Sequence, residues 1–209
     1  MSISTDKVRS IICDIARVME EQKQYLSDLD QAIGDGDHGF NMARGFNVLA
    51  QKLKDTPGSD IGDLLKIVAM TLLSNIGGAV GPLYGSMFLK ASTASMGVTE
   101  IELADFLPFF REGILAIQSR GNAELGDKTM LDVLLPVLAS LEKDAAAGLS
   151  CGEAFANAEK VAAVCMEKTK DIVAKKGRAS YLGERSIGHI DPGAASSYLI
   201  ISTISKALA

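Results

Sequence analysis

The sequence predicts an all-α fold of about eight helices, packed as one domain over residues 1–209. Three observations predict it. Apolar residues recur at helical spacing in segment after segment. No segment alternates convincingly with period 2, as a half-buried strand would. Hydrophobic residues make up 47% of the chain but aromatics only 5%, with no Trp. The apolar content is therefore mostly Ala, Leu, Ile and Val, which suits helix packed on helix.

The elements follow in order. Val8, Ile11, Ile12, Ile15 and Met19 lie on one helical face. The stretch "QKQYLSDLDQ" after them is polar and helix-like. Met42, Phe46, Leu49 and Leu53 repeat the helical pattern, as do Ile61, Leu64, Leu65, Val68 and Leu72. A helix is expected over 82–96. Thr99 with Glu102 has the spacing of a capping box opening a helix towards Arg120, with Pro108 placed to kink it or split off its first turns. A helix over 129–146 follows. Ser150 with Glu153 is a second capping box, ahead of a helix to about Lys175, and a last helix covers 193–208.

Bulk properties exclude several classes. The net charge is −5 and the isoelectric point is near 5.1, against the basic face that nucleic-acid binding needs. Cys13, Cys151 and Cys165 are odd in number and far apart, which fits neither a disulfide framework nor a zinc site. The start "MSISTDKVRS" has no apolar leader, and no run reaches the roughly 18 apolar residues of a membrane span. The expectation is a cytoplasmic protein with no membrane partner.

Four loops rich in Gly and polar residues interrupt the helices, at 30–39, 75–85, 120–128 and 176–193. The first contains "AIGDGDHGF", whose Gly34, Gly36 and Gly39 have the G-x-G-x-x-G spacing of a dinucleotide loop. Such a loop should follow a buried strand, and here a polar helical stretch precedes it. Asp35 and Asp37 would also repel a pyrophosphate. The third loop, "GNAELGDKT", nearly spells a P-loop, but Asp127 stands before Lys128 and would turn the lysine away from phosphates. Asp30, Asp35 and Asp37 within eight positions are hard oxygen donors suited to Mg²⁺ or Ca²⁺. An EF-hand is excluded, because the twelfth position from Asp35 is Phe46 rather than Glu. Magnesium held by the aspartates would hold phosphate in turn, reversing a repulsion of roughly 4 kcal/mol for unit charges about 4 Å apart. The competing reading is that these are turn and cap residues. The helix start at His38–Asn41 adds backbone N–H groups for the same anion. Of the two histidines, His189 is the better candidate for a structural role. "SNIGGAVGPLYG" reads as a loop that lets a nucleotide approach closely, or as a glycine-rich turn between helices. Lys175, Lys176, Arg178 and Arg185 make a local basic stretch fit to clamp phosphate, or a solvated surface.

Taken together, "DQAIGDGDHGFNMARGF", "GGAVGPLYG", "GDKTMLD" and "GRASYLGERSIGHIDPGA" strongly resemble the nucleotide-binding L subunit in the dihydroxyacetone kinase family, over nearly the whole chain. The resemblance implies a closed barrel of eight antiparallel helices with the nucleotide at one end. It implies two Mg²⁺ on Asp30, Asp35 and Asp37, and a phosphate-contacting turn at His38, Gly39, Phe40 and Asn41. It implies a nucleotide loop at Gly78, Ala79, Val80 and Gly81, adenine and ribose contacts at Gly121, Met130 and Asp191–Pro192–Gly193, and Arg178 near the phosphates. Arg178 and His38 would steady the transferring group. Val80 departs from the Ser of many relatives, which removes a hydroxyl contact and spares a backbone one. By the same resemblance, a phosphohistidine carrier (the M subunit of a phosphotransferase system) phosphorylates bound ADP. The ATP formed then serves dihydroxyacetone held on a separate K subunit. Two alternatives stay open: an ATP-dependent subunit for another small ketose such as erythrulose, and a non-catalytic ADP-binding regulatory module. A homodimer is one assembly the sequence allows.

Overall fold

A computed structural model describes residues 2–56 and 58–209. Among them the elements run β1 (Ile3–Ser4), α1 (Thr5–Glu21), α2 (Lys23–Ile33), α3 (His38–Asp55), α4 (Ile61–Asn75), α5 (Val80–Ala94), β2 (Glu100–Ile101), α6 (Leu103–Gly121), α7 (Leu131–Ala146), α8 (Cys151–Lys168) and α9 (Pro192–Leu208). Two 3₁₀ segments, Thr169–Asp171 and Arg178–Ser186, lie between α8 and α9. The fold is all-α, as expected. The polar, helix-like stretch ahead of the first glycine loop is α2.

Two local expectations fail for physical reasons. Thr99 does not cap a helix: its carbonyl accepts both the backbone N–H and the hydroxyl of Thr5, each at 2.9 Å. Ile101 and Glu100 pair antiparallel with Ile3 and Ser4, so the chain stays extended there and α6 starts later. The capping box of α6 is Glu102 with Asp105, whose Oδ2 accepts the Glu102 N–H at 2.9 Å. Pro108 then lies early in one continuous helix and does not split it. The second failure is α8, which stops at Lys168 rather than near Lys175. The Thr169 hydroxyl turns back onto the Met166 carbonyl at 2.7 Å, and the Thr169 carbonyl is taken by Lys128 Nζ at 2.7 Å. The Ser150–Glu153 capping box is present in both halves.

Packing neighbours run α1, α3, α4, α5, α6, α7, α8, α9 and back to α1, while α2 packs on α3. One core fills the space these helices surround. Leu26, Leu49, Leu64, Leu72, Leu131 and Leu141 are each fully buried, and each such side chain stabilises the fold by roughly 2 kcal/mol. An apolar cavity of about 140 Å³ remains inside, bordered by Phe46, Val68, Phe88 and Phe109 among others, with Tyr84 and Ser197 as polar neighbours. No helix among the described residues is long and apolar enough to cross a membrane.

Candidate functional site

An open cleft of about 470 Å³ is walled by the glycine-rich loops and the helix ends beside them. Asp30 sits in the last turn of α2. Its Oδ2 accepts the backbone N–H groups of Asp37 at 2.9 Å and His38 at 3.2 Å, so the α2 carboxylate caps the start of α3. The three glycines of the opening motif are needed for three different reasons. A Cβ on Gly34 would run into Asp30 Oδ1, and one on Gly39 would meet the Lys23 carbonyl of α2. Gly36 has φ +77°, the left-handed region that favours glycine. The motif thus serves a close helix–loop–helix crossing and not a dinucleotide turn.

That crossing draws Asp30, Asp35 and Asp37 together, with one carboxylate oxygen of each within 4.8 Å of the others. Asp30 is buried while Asp35 and Asp37 are exposed. Burial raises the Asp30 carboxyl, and the charges of Asp35 and Asp37 raise it further against the pull of the two amides. Three like charges at this spacing suit a hard divalent cation, which relieves the repulsion and takes oxygen ligands. Arg178 Nη2 reaches Asp35 Oδ2 at 2.8 Å, but its side chain is 70% exposed. An exposed pair is worth about 0–1 kcal/mol, so the guanidinium can turn to an incoming anion at little cost.

Of the residues expected at the site, Asp30, Asp35, Asp37 and His38 line the cleft, as do Gly78, Ala79 and Val80. Gly121, Met130, Arg178 and the Asp191–Pro192–Gly193 turn line it too. Gly39, Phe40, Asn41 and Gly81 do not. Most amides at the start of α3 are already used: His38 N–H by Asp30, Phe40 N–H by Ser27 Oγ at 3.3 Å, and Asn41 N–H by the Asp37 carbonyl at 2.9 Å. Asn41 Oδ1 accepts Arg44 Nη2 at 2.6 Å, and Arg44 Nε donates to the Asn75 carbonyl, which ties α3 to the end of α4. The first turn of α5 is more open. Ala79 provides no side-chain cap, and Pro82 has no N–H, leaving the Val80 and Gly81 amides without an acceptor side chain.

His38, expected to contact phosphate, is 4% exposed, and its Nε2 pairs with Ser196 Oγ at 3.0 Å. Burial lowers its pKa to about 4, so it is neutral near pH 7 and brings no charge to the cleft. Ser196 Oγ donates to the Gly193 carbonyl and also meets the Tyr84 hydroxyl at 3.1 Å, which in turn meets Ser197 Oγ at 2.9 Å. This hydroxyl chain runs from the cleft to the rim of the apolar cavity. The His189 ring is exposed. Of the basic stretch, Lys176 and Arg178 line the cleft, whereas Lys175 Nζ pairs with Asp127 Oδ1 at 3.4 Å.

Most of the remaining wall carries no mark of its own in the sequence. Leu83, Ile117, Ala123 and Leu131 add apolar surface beside Met130, and Arg120 adds charge, while Lys128 borders the cleft with its side chain almost fully buried. Ile117 and Leu131 fall on ordinary apolar helix periods, so nothing local separates them from core residues. The cleft therefore offers an apolar wall, three convergent carboxylates and the exposed Arg120 and Arg178 to one ligand.

Residues 32–206 match the DAK2 domain. The chain belongs to the DAK2-domain family. An Escherichia coli (strain K12) member, described as the ADP-binding subunit DhaL of a PEP-dependent dihydroxyacetone kinase, is 42% identical over 207 residues and 99% of both chains. The Lactococcus lactis ADP-binding subunit of a PTS-dependent dihydroxyacetone kinase is 45% identical over 191 residues, 91% of each chain. In structure, this DAK2 chain matches the C. freundii dihydroxyacetone kinase crystallised with AMP-PNP and Mg²⁺. The TM-score is 0.75 at 22% identity, over 95% of this chain and 33% of that longer one. That likeness establishes the fold.

Proposed function

We propose that this chain is the ADP-binding subunit of a dihydroxyacetone kinase, a phosphotransferase that acts only with partner subunits. The observation that carries the reading is the convergence of Asp30, Asp35 and Asp37 within 4.8 Å in a cleft that also has an apolar wall. The match to named ADP-binding subunits over nearly their full length supports the subunit role. Residues 1–209 act as one cytoplasmic domain built as a closed barrel of eight helices with α2 outside it, a reading supported by the ring of packing neighbours.

Asp30, Asp35 and Asp37 are the residues to hold Mg²⁺, two ions in our reading. When bound, magnesium neutralises nucleotide phosphate charge and fixes its orientation. The chain's own residues do the rest. The Gly78–Gly81 turn places phosphates through the open α5 amides, whereas the His38–Asn41 turn, whose amides are mostly committed to Asp30, Ser27 and Asp37, brings only His38 to the cleft. Gly121, Met130 and Asp191–Pro192–Gly193 hold the base and ribose against the apolar wall. Arg178 supplies positive charge to the group in transit, in line with catalysis of phosphoryl transfer by positioning and electrostatics. His38 contributes as a neutral residue that locks α3 to α9 through Ser196. Val80 contributes backbone alone. The donor is the phosphohistidine of an M-type carrier, and the acceptor is dihydroxyacetone held on a K subunit.

Asp35→Asn tests the reading. It should abolish Mg²⁺-dependent ADP binding in calorimetry while the helical circular dichroism stays intact. Normal ADP affinity in this variant would overturn the metal role.

A further inference from the structure

The cleft reading leaves one buried cation without a task. Lys128 is 1% exposed and has a left-handed backbone, φ +60°. Its Nζ lies 2.7 Å from the Thr169 carbonyl, 2.8 Å from that of Ser186, 2.6 Å from that of His189 and 3.3 Å from that of Ile172. An ammonium has three protons to donate, so the shell is complete. Every acceptor is a main-chain carbonyl, and all come from the stretch between α8 and α9. No carboxylate among the described residues is within ion-pair distance of it. A buried ammonium is tolerated only where such a shell replaces its water.

The stretch it gathers needs gathering. Residues 169–191 contain no α-helix, only 3₁₀ segments. They carry Arg178 and Asp191 into the cleft wall. Neighbouring ties run the same way. Lys175 N–H donates to the Asp127 carbonyl at 3.1 Å, and Asp191 N–H to Thr169 Oγ1 at 3.0 Å. The turn that presents Lys128 is itself braced by Asp132, which accepts the Gly126 N–H at 2.7 Å and the Thr129 N–H at 2.7 Å. A lysine whose protons are committed to four carbonyls, in a side chain almost without exposure, has none left for a phosphate.

We propose that Lys128 is a positioning residue: its ammonium takes the place of a structural cation, gathering the carbonyls of Thr169, Ser186 and His189 and so holding the Arg178- and Asp191-bearing wall against the three aspartates. The inference rests on the Mg²⁺–nucleotide reading of the cleft for its functional consequence, and on geometry alone for the clamp.

Lys128→Gly is the informative variant, because glycine accepts the left-handed backbone and only the butylammonium arm is removed. Hydrogen exchange and Mg²⁺·ADP calorimetry are measured on the full chain, with n-butylammonium or 1-butanol added. The expected result is at least a tenfold rise in exchange confined to 169–191 and at least a tenfold weaker Kd. Both should be reversed severalfold by n-butylammonium and not by the uncharged alcohol. A variant that folds only with the amine also supports the clamp; one that stays unfolded with it overturns the clamp. Unchanged exchange with a weakened Kd overturns it in favour of direct ligand contact. Raised exchange with an unchanged Kd overturns the positioning role. Failure of the wild-type chain to bind Mg²⁺·ADP would refute the cleft reading, while the exchange measurement would still judge the clamp.

Discussion

Asp30 uses Oδ2 to cap α3, and its Oδ1 lies so close to Gly34 that no side chain fits between them. Gly34→Ala should therefore displace the carboxylate while leaving the helices formed. Mg²⁺-dependent ADP binding is expected to weaken at least tenfold, read by calorimetry with circular dichroism as the control; an unaltered affinity would mean the close approach is dispensable. Asp191 gives a pH signature at the same scale. Burial raises its carboxyl from the ordinary 3.8 to about 7. Between those values the folded chain keeps a proton that the unfolded chain has lost. Stability from this group is thus greatest at low pH and falls as pH rises through about 7, by no more than about 1.4 kcal/mol per pH unit for one proton. Asp191→Asn keeps a cap for the Ala194 N–H, which Asp191 Oδ2 accepts at 2.7 Å, and removes the titration. Urea unfolding in EDTA from about pH 5 to about pH 8 should show a flatter profile in the variant. Equal slopes would assign the effect to another group.

Helix ends separate the legible elements from the illegible ones. Ser150 Oγ accepts the Glu153 N–H at 3.4 Å, and Glu153 Oε2 accepts the Ser150 N–H at 3.0 Å, a reciprocal pair written into four consecutive residues. Ser150→Ala should cost about 1 kcal/mol in urea unfolding. ADP affinity should not change, because α8 lies outside the cleft lining. A change in affinity would mean that α8 couples to the site. Thr99 and Glu102 have the same spacing, yet pairing with β1 claims that segment first. The end of α8 was hidden similarly: the carbonyl of Thr169 leaves the helix for Lys128, a residue 41 positions away.

At the scale of the whole molecule, the cleft is assembled from the ends of α2, α3, α5, α6, α7 and α9 together with the Arg178 segment. A ligand seated there bridges elements that span most of the chain, so its binding energy should appear as global stability. At about 100 times Kd, ADP with Mg²⁺ should raise the unfolding free energy by roughly 2.7 kcal/mol, and EDTA should abolish the gain. Stabilisation by ADP that persists undiminished in EDTA would separate nucleotide binding from the carboxylate cluster.

The sequence by itself determined the helical class, most helix positions and the three aspartates with their glycines. These are short-range properties: periodicity, capping chemistry and motif spacing reside in neighbouring residues. Tertiary structure alone decided which histidine is buried, that the α3 amides are largely spoken for, and that Leu83, Ile117 and Lys128 join the wall. Those outcomes depend on what a distant segment places opposite each residue. Burial, desolvation and hydrogen-bond competition are set by partners such as Ser196, Ser27 and Ser186, which no local pattern can name.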